Sequence, residues 1–309
     1  MSVIIRYFNQ FTHVCYLFGA STLLTLHTGY LHANALAAES PRVVRYPIVN
    51  TSREFFHRNT YALSLFRLAI EKSASDYTIM HVPADMSIGL RNAKLLGEGQ
   101  HDVNWMHTNT ALEESLLPVR IPIFKGLIGW RLAFIREEDQ GLFDHVKSPS
   151  DLGEYFAGQG FDWPDIKILE ANSLRVRPGF DSPAIISLMR NKRIDYFPRS
   201  INEIWDERSR YATGGISIEK TVALRYASAV YFFVTPSKPE LAKVLEQGLE
   251  IAIADGSFDA LFFEFFHAII EKSALAERKI FRLSNPLLPP STPINRKELW
   301  YSIDEKTAQ

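Results

Sequence analysis

The chain has 309 residues, of which 46% are hydrophobic and 22% are charged. This composition excludes a fibre or a disordered tail and is enough for one large or two medium domains. The formal net charge of −1 gives no electrostatic basis for binding nucleic acid or an anionic membrane surface.

The first 38 residues have the pattern of a secretory signal peptide. They contain one charge, Arg6, then an apolar run from Val14 to Leu26, and then small residues over 33–38 that offer cleavage sites. The run is shorter than the roughly 20 apolar residues of a spanning helix, although an uncleaved anchor remains the alternative. We therefore expect a soluble exported protein, most simply in a bacterial periplasm.

The only cysteine, Cys15, lies inside that apolar run. The mature chain would thus have no thiol, which excludes disulfides, cysteine-ligated metal and thiol catalysis. Residues 1–38 contain Arg6 as their only charged residue. Removal of this segment therefore leaves acidic residues in slight excess over basic ones.

Strands and helices alternate from residue 43 onward. The patterns predict strands over 43–49, 77–82 and 102–106, and helices over 61–73 and 86–96. Such alternation favours parallel strands joined by crossover helices. No glycine-rich phosphate fingerprint follows the first strand, so a nucleotide-binding variant has no support.

Two further strand-like runs, 129–135 and 229–235, bracket a second α/β set with a helix over 150–156 and a strand over 166–169. The chain is expected to leave one lobe through the first run and to return through the second. The predicted fold class is α/β, with two lobes, each a mostly parallel sheet flanked by helices, and two crossing hinge strands. The predicted boundaries are 39–130, 131–230 and 231–309, the last containing helices over 239–254 and 258–273 and a proline-rich strap over 284–293.

The stretch 182–206 predicts a helix, a strand, a turn and a second helix. Asp181 or Ser182 can cap the first helix, and a strand follows over 194–197. Pro198 is expected to end the strand, so that Arg199 lies in the turn before a helix capped by Ser200. An anionic group would be favoured beside that helix terminus. A solvated loop arginine is the alternative.

Two other positions point to a cleft between the lobes. Trp105 and Thr108, at the end of a predicted strand, supply an aromatic surface and a hydroxyl, although a core tryptophan is equally compatible with the pattern. Arg131 lies in the first crossing strand, near the expected floor of the cleft. A salt bridge across the hinge is its alternative interpretation.

Metal, cofactor and catalytic chemistry have little support. Glu264 and His267 form a single E-x-x-H, whereas carboxylate di-iron sites need a second copy and further glutamates. His101 and His107 lack partner ligands for zinc. No nucleophile, base and orienting group can be assembled, so we expect neither a cofactor nor an enzyme.

Four motifs in order resemble type-2 periplasmic solute-binding proteins, in their family-3, amino-acid-binding-like branch. They are LLGEGQHDVNWM (95–106), LLPVRIPIFKGLIGWRLAFI (116–135), SLMRNKRIDYFPRS (187–200) and the segment from VYFFVT to DALF (230–262). The resemblance covers nearly all of residues 43–283. It implies two α/β lobes that close on a small polar ligand and then dock on a membrane transporter; related domains serve as sensors.

The chain departs from the amino-acid-binding pattern at the ligand positions. Glu113 and Glu114 stand where such proteins carry the arginine that takes the ligand carboxylate, and Arg199 stands where they commonly have an aspartate. Asn172 and Ser173 correspond to their glycine-containing helix-capping turn. The residues expected to bind ligand are Trp105, Thr108, Arg131, Asn172, Ser173 and Arg199.

The resulting hypothesis is a monomeric periplasmic protein that binds a small polar solute, anionic or amino-acid-like, by hinge closure and delivers it to an ABC-type permease. A sensory module that signals to a membrane receptor is the first alternative. An exported enzyme that uses the same cleft is the second.

Overall fold

The computed structural model describes residues 42–49, 53–84, 89–211 and 214–303. The predicted signal peptide lies outside these residues and stays a prediction. Within the described ranges, no helix combines the length and the apolar character needed to cross a membrane. The α-helices of these ranges are α1 (Arg53–Lys72), α2 (Gly89–Gly97), α3 (Thr110–Ser115), α4 (Asp165–Ala171), α5 (Ser182–Arg190), α6 (Ile201–Tyr211), α7 (Pro239–Ala254) and α8 (Ser257–Ser273).

The strands alternate with these helices along most of the chain, as the sequence predicts. They are β1 (Arg42–Val49), β2 (Tyr77–Ala84), β3 (Val103–His107), β4 (Leu117–Val119), β5 (Trp130–Arg136), β6 (Phe156–Gly160), β7 (Arg175–Gly179), β8 (Phe197–Ser200), β9 (Ile216–Ile218), β10 (Val222–Arg225), β11 (Val230–Val234) and β12 (Lys279–Arg282).

Lobe 1 denotes the part of the molecule built on β1 to β4 and β11. β1 and β2 pair in parallel, and β11 lies between β3 and β4, antiparallel to both. Helix α1 packs against α7 and α8. Its predicted apolar face is buried, with Leu65, Phe66 and Ala69 inaccessible to solvent. Burial of a leucine or phenylalanine side chain contributes about 1.5–3 kcal/mol, which holds α1 in place.

Lobe 2 denotes the part built on β5 to β10 and β12. β5 is its central strand and lies antiparallel to β8, β9 and β10, so this sheet is mostly antiparallel and the prediction of a mostly parallel sheet is wrong here. β12 joins the same sheet in parallel with β10, whereas β6 and β7 form a parallel pair that meets β8 through a bridge between Ala157 and Tyr196. Helix α6, which follows β8, packs across onto α1 and α8 of lobe 1.

Two connections between the lobes run side by side. The first crossing segment, residues 120–129, leads from β4 to β5, and the second, residues 226–229, leads from β10 to β11. Tyr226 N donates to Gly129 O at 3.1 Å, and Ile123 N donates to Val230 O at 3.0 Å. β5 and β11, the predicted crossing strands, each pair within one lobe, so the crossings are the segments before them.

The C-terminal strap, residues 283–303, also links the lobes. It begins after β12 in lobe 2, where Ser284 N donates to Asn172 Oδ1 at 2.9 Å. It ends against the first crossing segment, where Tyr301 N donates to Lys125 O at 2.7 Å. The domain boundaries stay a prediction, but one strand of the range 231–309 belongs to the sheet of lobe 2.

Two predicted elements of lobe 2 differ in type. Residues 149–154 form a 3-10 helix rather than an α-helix, and residues 166–169 lie in helix α4 rather than in a strand. The short apolar run of α4 suits either structure, and Pro164 with Asp165 at its start favours the helix. The strand of this region is β6. The sequence does not predict it, because two of its five residues are glycines, which are uncommon in strands.

The strand predicted over 194–197 lies three residues further along, at Phe197–Ser200. Pro198 does not end it, because Pro198 lies opposite Ala133 of β5 and its carbonyl accepts a hydrogen bond from Gln159 Nε2 at 3.1 Å. The consequence is that Arg199 belongs to a strand and not to a turn.

Candidate functional site

Six charged side chains meet where lobe 2 faces lobe 1. Two of them, Arg131 of β5 and Arg199 of β8, lie on paired strands, in which Arg131 is opposite Ser200 and Leu132 is opposite Arg199. Helix α1, the start of α4 and helix α6 supply the other four. We call this set the inter-lobe charge cluster; it consists of Arg58, Arg131, Asp165, Arg199, Glu203 and Glu207.

Arg199 is held by carboxylates of its own lobe. Its Nε and Nη2 donate to the two oxygens of Glu207 at 2.8 and 2.5 Å, and Nη2 lies 3.2 Å from Glu203 Oε2. The guanidinium also lies 4.7 Å from the ring centroid of Trp163. Burial disfavours the charged form, but the two glutamates outweigh it and raise the pKa of Arg199 further. Arg199 is therefore permanently charged and fully engaged.

Arg131 is buried but incompletely satisfied. Its Nη2 lies 2.8 Å from Asp165 Oδ1, whereas its Nη1 is 3.9 Å from Glu203 Oε2, which is too far for a hydrogen bond. Its Nε and Glu203 Oε2 are both buried without a hydrogen-bond partner among the described residues. Buried polar atoms are seldom left without a hydrogen bond, so this donor and this acceptor could each form one further bond.

Tyr226 closes the cluster on the side of the second crossing segment. Its hydroxyl donates to Asp165 Oδ1, and the Arg131 guanidinium lies 5.3 Å from its ring centroid. Burial raises the pKa of Tyr226 well above its usual value, so the phenol stays protonated and can only donate to that carboxylate.

Lobe 1 contributes Arg58 and His107. Arg58 Nη1 donates to Glu203 Oε1 at 2.5 Å, so one ion pair joins α1 of lobe 1 to α6 of lobe 2. His107, at the end of β3, has an exposed side chain, and Ser228 Oγ lies 3.5 Å from its Nδ1.

The cluster is balanced in charge, with three guanidiniums and three carboxylates. Burial opposes ionisation of Glu203, but the neighbouring arginines prevail and hold the pKa of this carboxyl well below its usual range. A neutral ligand, or one that carries both a negative group and a donor, would preserve this balance, whereas a bare anion or cation would disturb it.

An aromatic rim follows the same edge of lobe 2. Phe161 and Phe180, which directly follow β6 and β7, are 58% and 77% exposed and stack with ring centroids 5.7 Å apart. Trp163 continues the rim toward Arg199. The carboxyl ends of parallel strands are where open α/β sheets bind ligands, so the rim lies where apolar contact with a ligand is expected.

Trp105 and Thr108 are close to this region but have structural contacts of their own. Trp105 is partly buried and stacks on Tyr46 with ring centroids 5.0 Å apart. Thr108 is buried, and its hydroxyl donates to Glu113 at 2.6 Å. Glu113 also accepts from Arg120, so this glutamate is committed to a hydrogen-bond network within lobe 1. These contacts of Trp105 and Thr108 lie within lobe 1 and do not involve the charge cluster.

Asn172 and Ser173 lie elsewhere, at the end of α4. The Asn172 amide donates to Ile168 O and to Ser284 O at 2.7 and 2.8 Å, which fastens the strap to lobe 2. Ser173 is exposed and left-handed, with φ of 62°. Their observed contacts are structural and do not connect them with Arg131.

The predicted position of Arg199 is wrong. The sequence predicts it in the turn before α6, but it lies in β8, is 5% exposed and pairs with Glu207. Arg131 and Arg199 lie close together, among acids that the sequence analysis did not place there, and their role in ligand binding stays a prediction. Glu203 and Glu207 could have been found as a pair on one face of α6, because they are four residues apart in a predicted helix that directly follows Arg199.

No group of three or more potential ligands for a metal ion occurs among the described residues. What the cluster offers is a set of fixed donors and acceptors at a boundary between two lobes. Such an arrangement can orient a small polar molecule and can respond to movement of one lobe against the other.

Comparison with solved structures identifies the fold. The chain is similar to an ancestral arginine-binding protein bound to arginine, at 16% identity and a TM-score of 0.50, over 72% of this chain and 98% of that one. It is similar to the periplasmic VFT2 domain of BvgS from Bordetella pertussis, at 16% identity and a TM-score of 0.51, over 72% and 93%. It is also similar to the GluR0 ligand-binding core in complex with L-glutamate, at 13% identity and a TM-score of 0.50, over 74% of this chain and 99% of that one.

No model of a known protein family and no curated protein matches the sequence. At these low identities the structural likeness concerns the fold alone. The fold is the two-lobed α/β fold of type-2 periplasmic binding proteins, with family-3 members among the similar structures, as predicted from the four sequence motifs.

Proposed function

We propose that the chain binds a small polar solute with an anionic, amino-acid-like character between its two lobes and releases it unchanged. The observation that carries this proposal is the buried Arg131, which keeps an unpaired Nε in a cluster built from both lobes. A ligand carboxylate would accept from this donor, and a charge-assisted hydrogen bond of this kind contributes about 1.5–3 kcal/mol.

The second buried atom without a hydrogen bond is Glu203 Oε2, which lies 3.2 Å from Arg199 Nη2 in an ion pair, and it narrows the class of ligand. A carboxylate alone would be repelled by Glu203, whereas a ligand that also carries an ammonium or hydroxyl group can donate to this oxygen. A molecule with both groups satisfies Arg131 and Glu203 together and keeps the cluster neutral. The amino-acid-like solute therefore fits better than a simple anion.

The proposed setting is the periplasm, where the protein would deliver the solute to an ABC-type permease after hinge closure. The lobe boundaries are proposed to be those predicted from the sequence. Presentation of the closed form to a membrane receptor is the alternative role. Loss of solute uptake in cells that lack the protein would support delivery, and normal uptake would support the receptor role.

The experiment begins with a thermal-shift screen of a metabolite library, since a ligand that binds the folded state raises the melting temperature. Titration calorimetry then compares the affinity of the best hit for the wild-type protein with its affinity for one double variant, Arg131→Met together with Asp165→Asn. The paired change removes both charges together, because a lone buried charge would destabilise the fold. We expect at least about tenfold weaker binding, equivalent to about 1.4 kcal/mol.

A matched control removes a charge pair outside the cluster, Lys72→Gln with Asp255→Asn, which joins α1 to the end of α7. This variant should bind the hit as the wild type does. Equal affinity of the wild type and the Arg131 variant would refute the proposed site, and turnover of the hit would refute a binding protein.

A further inference from the structure

A cavity of about 580 Å³ lies on the hinge, among the two crossing segments, the end of β12 and the strap. We call it the hinge cavity. Its size falls within the range of about 300–1,000 Å³ that is usual for small-molecule sites. None of the residues of the inter-lobe charge cluster lines it, so it is distinct from the proposed ligand site.

The lining of the hinge cavity is basic. Four lining side chains are cationic and none is acidic. Lys125 is already neutralised by Asp259 at 2.5 Å, and the Arg225 guanidinium lies over the ring of Trp130 at 4.7 Å. Arg282 and Lys297 are exposed and make no ion pair among the described residues. Their unbalanced charge creates a positive potential in the cavity.

One wall of the cavity is apolar. Trp300 is held by a hydrogen bond from its Nε1 to Pro293 O at 3.0 Å, and Ile294 is 57% exposed at the cavity. Gly126 permits the tryptophan to lie against the crossing segment, because a Cβ there would come within 2.4 Å of the Trp300 ring. The cavity thus combines a fixed indole with free positive charge.

We propose that the hinge cavity binds a small organic anion, with its apolar part against Trp300 and its anionic group between Arg282 and Lys297. This second site goes beyond the proposed function and does not depend on it. Its walls come from both crossing segments and the strap, so hinge movement would change its shape.

Tyr226 couples the two sites. Its side chain lines the hinge cavity, and its hydroxyl donates to Asp165 of the charge cluster. An anion in the cavity that shifts the Tyr226 ring would change the hydrogen bond to Asp165, the carboxylate that pairs with Arg131. The hinge cavity would then act as an effector site for the cleft, and the coupling would be reciprocal.

The test uses 8-anilinonaphthalene-1-sulfonate, an aromatic anion whose fluorescence rises on binding, titrated into the full chain at low ionic strength. We expect saturable binding to the wild type and at least tenfold weaker binding to Arg282→Gln with Lys297→Gln. The control, Arg208→Gln with Lys220→Gln, removes two exposed cations elsewhere and should bind as the wild type does. A crystal of the complex should show the probe against Trp300.

The proposal is overturned if wild-type binding does not saturate, if the Arg282 variant binds as tightly as the wild type, or if the control weakens binding equally. The variant Arg131→Met with Asp165→Asn separates the two sites. It should retain the probe, so loss of solute binding in that variant leaves the hinge cavity proposal standing.

Discussion

At the scale of single residues, Arg199 is the clearest case of a buried charge with a structural task. It neutralises Glu207, whose side chain is fully buried, and lies beside Glu203. We expect Arg199→Met to lower the free energy of unfolding by about 3–5 kcal/mol, because it leaves these carboxylates without their partner. Urea unfolding followed by circular dichroism measures this change.

Two further variants define the cause of that loss. Arg199→Met with Glu207→Leu removes both charges and should recover part of the stability. Arg193→Met, at an exposed position, should stay within about 0.5 kcal/mol of the wild type. If Arg199→Met is as stable as Arg193→Met, the buried pair does not hold β8 to α6.

Glu203 predicts a dependence of stability on pH. Its pKa is lower in the folded protein than in the unfolded chain, where a glutamate has a pKa of about 4.3. Its stabilising contribution is therefore complete above that pH and is lost as the pH falls through the folded-state value. The stability difference between the wild type and Glu203→Gln should shrink as the pH falls below about 4.

Urea unfolding over a series of acidic pH values provides the measurement for Glu203. Glu170→Gln, at an exposed position in α4, serves as the control, and its stability should run parallel to that of the wild type. A constant difference between the wild type and Glu203→Gln across the acidic range would show that Glu203 is not held ionised by the arginines.

At the scale of elements, the contact between α1 and α7 depends on one glycine. A Cβ on Gly248 of α7 would lie 1.8 Å from Ala69 O of α1, so the helices would have to separate. We expect Gly248→Ala to cost at least about 1–3 kcal/mol of unfolding free energy, the usual cost of overpacking. Thermal and urea unfolding both report this loss.

The matched control is Gly97→Ala at the end of α2. A Cβ there would lie 3.7 Å from Leu116 Cδ2, an ordinary contact, so stability should stay near that of the wild type. An equally stable Gly248→Ala would mean that α1 and α7 are not closely packed.

The sequence predicts those elements best that have both a periodic face and clear punctuation. Pro239 and the pair Asp255 and Gly256 delimit α7 and α8, whose bounds agree with prediction within one residue. The strand β6 has neither signal, because its segment FAGQG contains two glycines and a glutamine. It is a strand because β7 lies on one side of it and Tyr196 on the other. A local sequence pattern cannot predict such contacts.

The candidate site was predicted in part for the same reason. Arg131 and Arg199 were found because arginines near strand ends are chemically conspicuous. Asp165 was missed because α4 was predicted as a strand, which gave no reason to place a carboxylate beside β5. Long-range partners of this kind follow from tertiary packing and not from local spacing.

At the scale of the whole molecule, the ion pair of Arg58 and Glu203 joins the two lobes. The two side chains are only 17% and 12% exposed, so the pair should contribute more than the about 1 kcal/mol of a surface pair, and Arg58→Gln should shift an open–closed equilibrium toward the open form by at least about fivefold. Small-angle X-ray scattering should then show a larger radius of gyration. Lys72→Gln, which breaks a pair outside the cluster, should leave the radius unchanged.

Ligand binding between the lobes is tested most directly by a crystal structure of the wild-type protein with the best hit of the metabolite screen. We predict the ligand between the lobes, with an anionic group on Arg131, a donor group facing Glu203, and the molecule chemically unchanged. A ligand bound only outside the inter-lobe charge cluster, or recovered as a reaction product, would show that the chain is not a binding protein with this site.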